Sequence, residues 1–149
     1  SSLTEVQKRV EKLKETIIER HLDSNLLKYC NEELIVDNYY HAVFEATKGL
    51  FSVIKDKTKI DADGSELIDK VFSGDKPILI INNFITKTER SEQSGFINLL
   101  KGIYGIFRNP IAHENRIAWE ITEVDAIDLF SMLSYAYRRI EKSKNTEDK

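Results

Sequence analysis

The chain has 149 residues, 41% of them hydrophobic and 32% charged, with six glycines, two prolines, one cysteine and a formal net charge of −3. Such a composition describes one folded domain with scarce tight turns and excludes a disordered tract, a disulfide scaffold or a broadly basic nucleic-acid binder, so any anion site must be local. A lone Cys30 excludes a cysteine-based zinc site within one chain, and no apolar run nears the roughly 20 residues that span a bilayer, which makes a cytoplasmic setting the expectation.

Leu3, Val6, Val10, Leu13 and Ile17 recur at intervals of three and four, the seam of an amphipathic helix. This helix can pack on the body, pair with another chain, or continue from a preceding region, in which case residues 1–149 are the C-terminal part of a longer protein. Asp23-Ser24-Asn25 caps a short segment through Leu26, Leu27 and Tyr29. Glu32 to about Lys57 reads as one long helix, with Tyr39, Val43, Ala46, Leu50, Val53 and Ile54 as its stripe. Tyr40, Phe44 and Phe51 widen that stripe enough for a central place in a bundle, while His41 falls roughly opposite Tyr39.

Asp61-Ala62-Asp63-Gly64 is a turn, and a helix capped by Ser65 follows through Phe72; the acids lack the twelve-residue calcium register. After a second turn at 73–77, Ile78 to Ile81 is a short apolar run with no evident partner strand, so no regular sheet is expected. The helical period returns from Thr88 or Ser91 through Phe96, Leu99, Leu100, Ile103 and Phe107. Gly102 and Gly105 within it cost about 1 kcal/mol each relative to alanine, a cost that close approach of another backbone or a ligand would offset.

Arg108-Asn109-Pro110-Ile111-Ala112-His113 is the stretch that looks like chemistry. Proline disfavours a helical residue before it and is at home in a first turn, so Asn109-Pro110 ends one helix and opens another turn. Arg108 can grip a phosphate through its guanidinium fork, and the imidazole of His113 exchanges a proton near neutrality. Beyond it, Trp119 anchors the turn. Thr122-x-x-Asp125 then caps a last helix with Ala126, Phe130, Leu133, Tyr137 and Ile140 on its main stripe. Val124, Met132 and Tyr135 form a second apolar patch, which places this helix centrally or at a subunit contact; residues 143–149 read as a disordered tail. The expectation is a single all-α domain, with residues 1–31 an N-terminal helical segment and 32–142 a core bundle of about four principal helices plus short accessory ones.

Arg-Asn-Pro-x-Ala-His-Glu at 108–114, the Gly102-x-x-Gly105 before it and Tyr39-Tyr40-His41-Ala42-Val43-Phe44-Glu45-Ala46 much earlier together resemble the HEPN superfamily, and within it the Ymh-like group of prokaryotic and phage hypothetical proteins. The resemblance runs from Tyr39 to Glu114 and implies a HEPN-like bundle that pairs as a homodimer. It also implies a metal-independent endoribonuclease in which the RNA 2′-hydroxyl is the nucleophile and no cofactor is needed. Carried onto this chain, His113 would do acid–base work, Arg108 would hold the scissile phosphate and Asn109 would orient one of them. Gly105, Arg116 and His41 are candidate substrate contacts. The resemblance further suggests a toxin or antiphage (abortive infection) role, with an antitoxin or an N-terminal regulatory domain as partner. Two other classes stand beside it: a non-catalytic dimerisation or nucleotide/phosphate-binding module, and a helical scaffold with no anion site.

Overall fold

The computed structural model of the chain describes residues 2–107 and 120–148. Helix α1 (Ser2–Glu19) leads through a 3-10 turn, η1 (Ser24–Tyr29), to α2 (Glu32–Ile35), α3 (Tyr40–Thr58) and α4 (Gly64–Phe72). A two-residue strand β1 (Leu79–Ile80) precedes α5 (Lys87–Phe107), and α6 (Glu123–Lys142) is followed by β2 (Lys144–Asn145). The fold is all-α, with one two-stranded ladder among the described residues.

Helix α3 is the centre of the bundle and touches η1, α2, α4, α5 and α6, its most extensive neighbour being α6. Ala42, Val43, Ala46, Leu50 and Ile54 are wholly buried on it, and they meet Ala126, Phe130, Ala136, Tyr137 and Ile140 of α6 in a single core. Where α3 crosses this core, Gly49 lets two tyrosines approach its backbone. An added Cβ would lie 2.6 Å from the Tyr137 hydroxyl and closer still to that of Tyr29. The Tyr137 hydroxyl donates to the Ala46 carbonyl at 2.7 Å, so this buried polar group is satisfied. The seam of α1 packs on the body: Val6, Val10, Leu13 and Ile17 are all buried.

Sequence reading and structure part at four places. Glu32 to Lys57 is two helices, because Asn38 interrupts it. Its side-chain oxygen accepts from the Tyr40 N–H at 2.7 Å, an Asx turn just ahead of the Tyr39 N-cap from which α3 starts afresh. Helix α4 is capped at Asp63, one residue before Gly64 rather than at Ser65, and the Asp63 carboxylate pairs with Lys55 at 3.0 Å instead of capping. Helix α5 begins earlier than its apolar period. Thr86 Oγ1 accepts from the Glu89 N–H, and Glu89 Oε1 accepts from the Thr86 and Ile85 N–H groups, a reciprocal capping box. These backbone donors hold the Glu89 carboxyl below its usual range.

The fourth difference is the tail. Instead of being disordered it supplies the partner that the apolar run at 78–81 lacked, with Leu79 opposite Asn145 and Ile80 opposite Lys144 in antiparallel register. Thr146 adds bonds to the Pro77 and Ile78 carbonyls at 2.7 and 2.8 Å. Lys57 closes the end of α6 by donating to the carbonyls of Ile140, Glu141 and Ser143 at 2.7 to 3.0 Å. Burial lowers the Lys57 ammonium from its ordinary value, a cost that these carbonyls offset. Lys57→Met keeps the stem and removes the cap. It is expected to cost about 1–2 kcal/mol in urea unfolding, and an unchanged midpoint would show that the cap contributes nothing.

Candidate functional site

Arg108, Asn109, His113 and Arg116 lie outside the described residues, as does Trp119; the structure describes what flanks them. On one side α5 ends at Phe107, which is 2% exposed. Its ring lies 6.4 Å from that of Tyr40, in the first turn of α3. On the other side the chain resumes at Glu120, and Ile121 is buried. The Ile121 carbonyl accepts from the Tyr39 N–H, and its own N–H reaches the Asn38 side chain, both at 3.5 Å. Segment 108–119 therefore leaves from and returns to the same place, the start of α3.

The residues around that place form a connected shell. The Tyr40 ring stacks on Phe44 at 5.9 Å and meets His41 edge-on at 5.6 Å. Tyr39 donates its hydroxyl to Glu123 at 3.4 Å, and Glu123 pairs with Lys12 at 2.9 Å, which ties α1 to the first turn of α6. Burial, reinforced by the Glu123 carboxylate, raises the Tyr39 hydroxyl above the ordinary tyrosine value, so it remains a neutral donor. Thr122 caps α6 by accepting from the Asp125 N–H at 3.2 Å. The N-termini of α3 and α6 thus converge on the two ends of the segment, and the positive ends of their helix dipoles favour negative charge nearby.

Two of the candidate substrate contacts fall within the described residues. His41 is exposed in the first turn of α3, immediately after the two tyrosines that hold the flanks. Gly105 is exposed on the last turn of α5. An added Cβ at Gly105, or at Gly102 one turn earlier, meets no described atom within 4 Å, so close packing against these residues does not require either glycine. Among the described residues nothing covers the face they open. Asn38, Tyr40 and Ile121 complete the site's frame, and a sequence reading misses them as a group because the contact spans more than 80 positions. An Asn two residues before a helical stripe was the available signal for the break.

Other chemistry nearby is balanced. Tyr104, one turn before Phe107, lines a cleft of about 190 Å³ with Lys48, Ser52, Lys55 and Gly64. Its two lysines pair with Glu45 at 3.4 Å and Asp63 at 3.0 Å. Burial pushes the Cys30 thiol up to about 12, which leaves it protonated and unreactive. Among the described residues no group of three or more His, Cys, Asp or Glu side chains could hold a metal ion. None of the described helices is long and apolar enough to cross a membrane.

An all-α domain in which the two ends flanking residues 108–119 are held at the start of one central helix is the class that fold and flanks define. A family model described as "Protein of unknown function (Hypoth_ymh)" matches residues 20–140, and the chain belongs to that family. No curated protein and no solved structure matches the chain.

Proposed function

We propose that the chain is a metal-independent endoribonuclease of HEPN type, acting as a homodimer whose two copies of segment 108–119 face one cleft. The observation that carries the reading is the Arg108-Asn109-Pro110-x-Ala112-His113 stretch, with both its flanks docked on Tyr39 and Tyr40 beside His41. Intramolecular cleavage needs a proton taken from the 2′-hydroxyl, a proton given to the leaving 5′-oxygen and charge neutralised on the phosphoryl oxygens. His113 exchanges protons, Arg108 neutralises the phosphate, and Asn109 orients the phosphate or the imidazole. The two-fold-related His113 supplies the second transfer. His41, Gly105 and Arg116 contact the substrate around them. The positive ends of α3 and α6 add to the attraction for a phosphate.

A toxin or antiphage role, with an antitoxin or an N-terminal regulatory region as partner, accompanies this reading. The alternative is a non-catalytic dimerisation or phosphate-binding module, favoured by the open Gly102 and Gly105 face and by Val124, 69% exposed at the start of α6. Incubation of the purified protein with total RNA in excess EDTA separates the two. Fragments ending in 2′,3′-cyclic phosphate and 5′-hydroxyl groups are expected. An RNA panel left intact by the dimer would transfer the assignment to the binding module.

A further inference from the structure

The C-terminal half of α6 carries a cluster that neither the core nor the flanks of segment 108–119 use. Tyr135 is 45% exposed, and the Arg139 guanidinium lies over its ring at 5.3 Å from the centroid. Phe96 of α5 meets the same ring edge-on at 6.4 Å and fixes it from behind. Arg138 and Lys142 follow at helical spacing on that face, with Met132 exposed beside it.

Five lysines are held in ion pairs and most other cations of the described residues are not; three of the latter gather on this face. Lys12, Lys48, Lys55, Lys70 and Lys101 each pair with a carboxylate. Arg138, Arg139 and Lys142 make no ion pair among the described residues. Nor does the Nε of Arg139, although buried, have a hydrogen-bond partner there. Glu141, the acid next to Lys142, is turned the other way and accepts from Asn25. Asp128 is the acid on the cationic face, two turns earlier. An exposed ring, a guanidinium stacked on it and unpaired cations at its sides suit a flexible polyanion whose bases also present π-faces.

We propose that Tyr135, Arg138, Arg139 and Lys142 form a binding surface for single-stranded RNA, with bases stacking on Tyr135 and Arg139 and phosphates held by Arg138 and Lys142. The substrate class rests on the ribonuclease reading; the surface itself lies at the end of α6 remote from Glu123. Helix α6 starts at Glu123 beside the end of that segment, so a rise of 1.5 Å per residue puts Tyr135 about 18 Å and Lys142 about 28 Å away. Contacts at that distance hold RNA several nucleotides from the cut bond. They contribute to binding of long substrates and nothing to the chemistry of a minimal one.

The test uses an uncleavable 2′-O-methyl uridine 20-mer, with affinity measured as a function of salt, alongside cleavage of a dinucleotide by the same preparations. Each neutralised phosphate contributes about 0.7 to the slope of log K against log salt for a single strand. The Arg138→Ala/Lys142→Ala protein is expected to lose about 1.4 of that slope. Tyr135→Ala should bind at least about fivefold more weakly, with Tyr135→Phe restoring the loss. Dinucleotide cleavage should stay at the native rate in all of them. Lys142→Ala alone, at an exposed position, provides the slope comparison should the double variant lose its helical circular dichroism.

Equal slopes with a silent Tyr135→Ala overturn the proposal. So does a native protein that cuts the dinucleotide yet binds the 20-mer no more tightly, an outcome that leaves the ribonuclease reading standing. Polyglutamate competing as well as RNA, with Tyr135→Ala silent, reassigns the surface to an acidic protein. A native protein that neither cuts nor binds overturns both readings.

Discussion

His113→Ala is expected to slow RNA cleavage by about 10² to 10⁴-fold, the range that a positioned general acid–base group contributes. Arg108→Ala should fall in the same range, since it removes the cation that the proposed mechanism uses to neutralise the phosphoryl oxygens. The two losses should not add when combined, because acid–base transfer and charge neutralisation serve one transition state. Both residues lie in a segment whose flanks are tied down by Phe107 on one side and Ile121 on the other, so neither change removes the clamp on α3. Each variant should keep native circular dichroism and dimer mass. Single-turnover cleavage of a labelled RNA measures the effect, and native rates in both variants would remove the motif from the mechanism.

Gln93→Ala is expected to be the most damaging single change to the fold outside the apolar core. Gln93 is 2% exposed and sits where α4, β1 and α5 meet. Its amide nitrogen donates to the Phe72 carbonyl at 3.0 Å and to the Leu79 carbonyl at 2.8 Å, while its oxygen accepts from the Ile81 N–H at 3.0 Å. Truncation leaves three backbone groups without that partner. At about 1–3 kcal/mol for each polar group left buried and unsatisfied, the loss is about 3 kcal/mol or more. For a domain of this size that is about 10 °C in thermal midpoint. Gln93→Glu should restore only the acceptor and set a second oxygen against two carbonyls. A shift under 2 °C for Gln93→Ala would show that solvent replaces these bonds at no cost.

The helices were legible where an apolar stripe recurs at helical spacing. Val6 to Ile17, Phe96 to Phe107 and Ala126 to Ile140 are buried as their spacing requires, and Thr122 caps as its position suggests. What periodicity does not carry is contact between distant positions. Asn38 breaks the long helix in partnership with Ile121, and the run at 78–81 becomes a strand because residues 144 and 145 return to it. The role of Gln93 depends on carbonyls up to 21 positions away, which no local pattern carries. The start of α5 is different, since Thr86-x-x-Glu89 is a capping box written in the sequence itself. For the site, the residue types of Arg108 and His113 carry the proposal, and both lie outside the described residues. The docking of both flanks on Tyr39 and Tyr40 is a property of the fold.

The measurement closest to the central claim is cleavage of a synthetic RNA in which the nucleotide on the 5′ side of a mapped cut bond carries hydrogen in place of its 2′-hydroxyl. If that hydroxyl is the nucleophile, cutting at this bond stops while neighbouring bonds in the same strand are still cut at their usual rate. Continued cutting at the substituted bond would mean that water attacks the phosphate. The roles given to Arg108 and His113 would then be wrong.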